Sequence, residues 1–121
     1  MKQGQIVAVF NIIKRFQENN ELPNDISYAF FRIGKIIQDQ VDFQVERQNQ
    51  ILSKYKYSQG ENGALVFDNP EDVIAFNKEL DEVLALDVEL GEYKKVPFKI
   101  DGRINLSVHD LIVLEDFVEY V

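Results

Sequence analysis

At 121 residues the chain has the length of one domain, enough to bury a core but short for two. A content of 45% hydrophobic and 28% charged residues is that of a globular protein and excludes disorder of the whole chain. The absence of cysteine excludes a disulfide framework, a thiolate nucleophile and a Cys-based zinc site, and it fits an intracellular protein. The net charge of −8 is placed unevenly: residues 68–92 hold nine acids (Asp68, Glu71, Asp72, Glu79, Asp81, Glu82, Asp87, Glu89 and Glu92) against Lys78 alone. Residues 1–67 hold eight basic and seven acidic side chains, and residues 93–121 four and five. The acidic segment repels phosphate, which argues against direct nucleic-acid binding; its natural counterpart is a protein partner with a basic surface.

Ile6, Val9, Phe10, Ile13 and Phe16 recur on one helical face over residues 5–18, and Val7 and Ile12 widen the stripe. The apolar stretch after Met1-Lys2-Gln3-Gly4-Gln5 imitates a signal peptide. Asn11, Lys14 and Arg15 interrupt it, however, and no small-residue cleavage site follows, so it reads as part of the mature fold. No apolar run approaches the length of a membrane span. Asn19-Asn20-Glu21-Leu22-Pro23-Asn24 is a short turn, which predicts a second helix antiparallel to the first, capped by Asn24 or Asp25.

Between Asn24 and Lys56 there is no proline, and Gly34 is the only glycine. A helix of about thirty residues reaches roughly 45 Å, whereas a compact domain of this size is about 35 Å across. The run therefore either breaks or overhangs the body and meets a neighbour. Ile26, Ala29, Phe30, Ile33 and Ile37 open a clean inner stripe; Gln40, Gln44 and Gln48 interrupt it, and Ile51 and Tyr55 restore it. The first half is thus expected in the core and the second half less well buried. Val41, Phe43 and Val45 alternate with polar residues over too short a span to overrule the helix. Tyr28, Phe31 and Phe43 lie off the stripe. Either the C-terminal part of the chain packs across them, or they form a surface for a partner or for self-association.

Tyr55 to Ser58 and Ala64 to Phe67 flank Gln59-Gly60-Glu61-Asn62-Gly63, which predicts a small hairpin or an ordered loop. Asn69-Pro70-Glu71-Asp72 starts a third, acidic helix with an inner stripe of Val73, Phe76, Leu80, Val83 and Leu84. Val88 to Leu90 and Lys95 to Ile100 read as extended, with Pro97 restricting the latter to an edge. Asp101-Gly102 predicts an antiparallel hairpin whose second strand is Arg103 to Leu106. Ser107-Val108-His109-Asp110 is a capping box with Asp in place of Glu. It opens a last helix carrying Leu111, Leu114, Phe117, Val118 and Val121, which Ile112 and Val113 make apolar on most sides and so central. The fold expected is α+β and mainly α: one domain over 1–121, with a helical hairpin at 5–56 and a helix, β-hairpin and helix at 57–121 sharing its core.

Little of this pattern carries chemistry. His109 is the only histidine, so a two-histidine metal site is excluded and a surface or capping role is expected. The carboxylates Glu79, Asp81, Glu82, Asp87 and Glu89 lack the glycine-turn spacing of a calcium loop; they read as a solvated helix face or as a protein-binding patch. Carboxylate pairs also hydrolyse glycosides, but tryptophan is absent and no aromatic-lined cleft is readable. Gly60, Gly63 and Gly102 belong to no phosphate-cradling loop. No catalytic residue, metal ligand or cofactor is assigned.

The order of features resembles a group of small acidic proteins of tailed bacteriophages. The resemblance rests on the Gly60-Glu61-Asn62-Gly63 turn, the Phe76–Leu84 acidic helix, Val88-Glu89-Leu90, the Leu106–Leu111 run and the terminal Leu114-Glu115-Asp116-Phe117. It implies viral origin and a place in the host bacterial cytoplasm or in the virion. The expected function is that of a non-enzymatic interaction protein, virion-associated or self-assembling. The alternative is an acidic inhibitor of a host nuclease or defence complex. Asp68, Glu71, Asp72, Glu79, Asp81, Glu82, Asp87 and Glu89, with Tyr28, Phe31 and Phe43, are the candidate binding residues.

Overall fold

The computed structural model describes residues 1–18, 21–100 and 102–121. It is mainly helical with two small sheets, an α+β fold: α1 (Gln3–Gln17), α2 (Asn24–Leu52), β1 (Tyr57–Gln59), β2 (Leu65–Phe67), α3 (Pro70–Leu84), β3 (Val96–Phe98), α4 (Val108–Leu114) and β4 (Val118–Tyr120). Asn19 and Asn20 of the first expected turn, and Asp101 of the second, lie outside the described residues.

The first two helices pair antiparallel. Phe16 near the end of α1 stacks on Phe30 near the start of α2 at 5.8 Å, while Gln3 at the other end of α1 donates to the Gln40 carbonyl at 2.8 Å. Pro23, not Asn24 or Asp25, holds the cap position, with no side-chain cap hydrogen bond, and Asp25 stands in the first turn, where its charge suits the helix dipole.

The helix α2 is unbroken and about 43 Å long. It does not overhang. Its first half joins α1, β3, α4 and β4 around a main core containing Ile6, Val9, Phe30, Ile33, Phe98 and Phe117. Its last turn joins α3 in a second core of Ile51, Leu52, Phe76 and Val83, with Tyr55, Phe67 and Leu80 packed against it. The expected overhang presumed a near-spherical body. The chain instead lays a second core along the same rod, so the length that exceeds a sphere is covered by α3.

Between the two cores the glutamine stretch of α2 is used for hydrogen bonds. Gln3 and Gln44 are buried, and Gln3 Nε2 lies 3.4 Å from Gln44 Oε1. Gln40 Nε2 donates to the Glu89 carbonyl at 3.2 Å, which ties the segment after α3 to the middle of α2.

The antiparallel β-hairpin is β1–β2, with Ser58 opposite Val66. Its reversal needs left-handed backbone at Asn62 (φ 67°) and Gly63 (φ 74°), which asparagine and glycine adopt at least cost. Phe67 fixes the hairpin on α3 by packing against Phe76 at 5.4 Å.

The C-terminal third departs from expectation twice. Arg103 to Leu106 forms no strand; β3 pairs in parallel with β4, with Val96 opposite Val118 and Phe98 opposite Tyr120. The final helix also stops at Leu114, and Val118–Tyr120 is the strand that β3 uses. Burial decides both outcomes. Phe117 and Val118 are needed in the main core beside Phe98 and Tyr93, and an extended end reaches that place. Nor is α4 central as expected, since its Val108 and Ile112 are exposed. The expected capping box is present, Ser107 accepting from the Asp110 N–H and the Asp110 carboxylate from the Ser107 N–H, each at 3.0 Å.

Candidate interaction surfaces

The acidic helix α3 is set by its own first turn: the Asn69 side chain accepts from the Glu71 N–H at 3.1 Å, Pro70 follows it, and Glu71 and Asp72 sit at the positive helix end. Phe76 and Val83 turn inward to the second core, and that choice rotates Ile74, Lys78, Asp81, Glu82 and Ala85 outward. Together with Asn77 these residues line a shallow depression whose wall is largely apolar, and Ile74 stands 73% exposed there.

The predicted acidic residues separate into two groups. Glu79 is drawn back across the helices: Lys54 Nζ is 3.1 Å from one carboxylate oxygen and the Tyr55 hydroxyl 3.5 Å from the other. Burial, then the Glu79 charge, pushes the Tyr55 hydroxyl pKa up. Asp87 pairs with Lys2 at 3.1 Å beside the single antiparallel bridge that Lys2 and Asp87 form. These two acids brace the fold. Asp68, Glu71, Asp81, Glu82 and Glu89 are exposed and enter no ion pair among the described residues, and Asp72 is half-buried. Glu82 also edges a groove of about 420 Å³ between α2 and α3, whose floor is Ile51, Val83 and Leu86 and whose other charged walls are Arg47, Lys54 and Glu79. No hydroxyl nucleophile or imidazole lines it. His109 is exposed on α4. Among the described residues no group of three histidine, aspartate or glutamate side chains is placed to share a metal ion, and no helix is long and apolar enough to cross a membrane.

The off-stripe aromatics of α2 are not covered by the C-terminal part of the chain. Tyr28 is 62% exposed, Phe31 56% and Phe43 41%. The structure brings only two of them together: the Tyr28 and Phe31 rings stack at 6.3 Å, with Arg32 over Tyr28 at 6.0 Å and Lys35 over Phe31 at 5.6 Å. Phe43 stands about 18 Å farther along the helix, twelve residues beyond Phe31. Two residues of structural weight escaped sequence reasoning. Gln3 reads as a polar residue before the first stripe, and nothing local says that it is buried. Arg15, which bonds the buried Asp110 carboxylate, lies 95 positions from its partner.

Comparison with protein-family models, with curated proteins and with solved structures finds no match, so the functional reading stands on the residues of this chain.

Proposed function

We propose that this chain is a non-enzymatic interaction protein, of the viral kind that its resemblance to small acidic phage proteins implies, and that it docks on a basic protein partner through the outer face of α3. One observation carries the reading. Asp81 and Glu82 stand exposed beside the solvent-facing Ile74, so two charges without an ion-pair partner border an apolar residue that its own chain leaves uncovered. An apolar centre with a charged border is how a docking patch is built: burial supplies affinity and the charges supply approach rate and orientation. The setting is the host bacterial cytoplasm, with the protein either free there or built into the virion.

The test is capture of partners from host and phage lysates by the wild-type chain and by Asp81→Lys/Glu82→Lys. Wild type should retain a basic protein that the double variant loses, with both chains equally folded by circular dichroism. Equal recovery on both chains would dismiss α3 as the docking face. The exposed carboxylates at Asp68, Glu71 and Glu89 favour a narrower second reading, an inhibitor that occupies the nucleic-acid-binding surface of a host nuclease or defence complex. In that case DNA or RNA competes with the chain for its partner. A partner that binds nucleic acid and this chain at the same time leaves only the broader reading.

A further inference from the structure

The outer face of α2 is divided by charge. Toward its N-terminal end stand Tyr28, Phe31, Arg32 and Lys35; after Ile37 the same face continues with Asp39, Asp42, Phe43 and Glu46. At 100° per residue all eight fall within about a third of the helix circumference. All are exposed except Arg32, which is half-buried. None of the five charged members has an ion-pair partner among the described residues. Lys35 and Asp39 are spaced to pair within the helix, but with the cation on the N-terminal side, the weaker orientation, and Lys35 lies over the Phe31 ring instead.

From this pattern we infer that the face is an antiparallel docking surface for a second copy of the same chain, giving a two-fold dimer. The inference rests on the reading of the chain as an interaction protein, but on a different surface. Laid antiparallel about a two-fold axis at the level of Ile37, the two copies bring opposite halves together. Lys35 of each comes to the level of Asp39 of the other, Arg32 to that of Asp42, Phe31 to that of Phe43 and Tyr28 to that of Glu46. Each cation of the face therefore comes level with a carboxylate. A parallel pairing would set Arg32 and Lys35 against themselves, and Asp39 and Asp42 likewise, so repulsion selects the antiparallel arrangement. Because the surface is its own complement, the contact closes at two copies and builds no filament.

Sedimentation equilibrium over a concentration series tests this with three full-length chains: wild type, Arg32→Asp/Lys35→Asp and Asp39→Lys/Asp42→Lys. Wild type should dimerise reversibly, and more weakly as salt rises. The first variant carries only acids along the face, and the second only bases apart from Glu46, so each alone should be monomeric. An equimolar mixture of the two variants should form a heterodimer, since acid then faces base in both halves; this also shows that neither variant is misfolded. Wild type that stays monomeric to millimolar concentration overturns the inference, as does a dimer that either variant retains or a mixture that stays monomeric. Loss of lysate partners on charge reversal in α3 is a separate readout, so the docking face on α3 and the α2 dimer stand or fall independently.

Discussion

Asp110 is a carboxylate that burial pushes toward protonation, yet its pKa is held below the ordinary value. The Ser107 N–H, the Arg15 guanidinium and the Ser107 side chain outweigh the loss of water. A depressed carboxylate contributes stability that is present above the unfolded pKa and lost as pH falls through the folded one. Asp110→Asn should therefore cost about 1–3 kcal/mol near neutrality, the range for a buried charged hydrogen-bonding group. The deficit against wild type should begin to shrink as pH drops below about 4, the unfolded value, and be lost only below the depressed folded one, where both chains carry a neutral side chain. Urea unfolding of both at several pH values measures it, and a deficit unchanged at low pH contradicts the assignment. Tyr120 sits close by: burial, then Glu115 and Asp110, pushes its hydroxyl pKa up to about 12, and it donates to the Leu111 carbonyl at 2.6 Å. The cap was readable, because Ser107 and Asp110 are three residues apart and the motif is local. The Arg15 contact was not, since nothing along the chain specifies which cation folds back over which helix.

Among the elements, α2 shows both what periodicity reveals and where it stops. Its helical state and its inner stripe from Ile26 to Ile37 follow from spacing alone, and so does the break at the glutamines. What covers Ile51 and Leu52 does not follow, because the covering residues Phe76 and Val83 belong to a helix whose position is set by tertiary packing. Ile51→Ala should cost about 2–5 kcal/mol, as for other buried truncations, whereas Ile112→Ala on the exposed side of α4 should stay within about 0.5 kcal/mol. Chemical denaturation distinguishes the two, and a neutral Ile51→Ala would return the far end of α2 to solvent. The sheet tells the opposite story. Asp-Gly is a strong local hairpin signal, but β3 takes a partner twenty-two positions away, Val118 against Val96, because Phe117 and Val118 complete the main core. Phe117→Ala should cost about 3–5 kcal/mol and loosen β3 with it, seen as faster amide exchange at Val96 and Phe98. Turn chemistry is read over two residues, and parallel pairing over tens, so the sequence favoured the wrong strand.

For the whole molecule, charge was legible and its use was not. The excess of acids in residues 68–92 is a count, whereas the division between braces (Glu79, Asp87) and open groups (Asp81, Glu82) needs the positions of Lys54 and Lys2. The exposed aromatics of α2 were readable as residues off the stripe, and their bare state follows from the C-terminal segment packing on the other side of the helix. The proposed function lies on outward surfaces of α2 and α3, whose inner faces the two cores hold. The most direct test of docking through α3 is the affinity between this chain and a basic protein recovered with it, measured over rising salt for wild type and for Asp81→Lys/Glu82→Lys. The wild-type Kd should weaken roughly tenfold or more between low and high salt, and the variant should bind feebly at every salt concentration. A Kd indifferent to salt and to the two substitutions would contradict it.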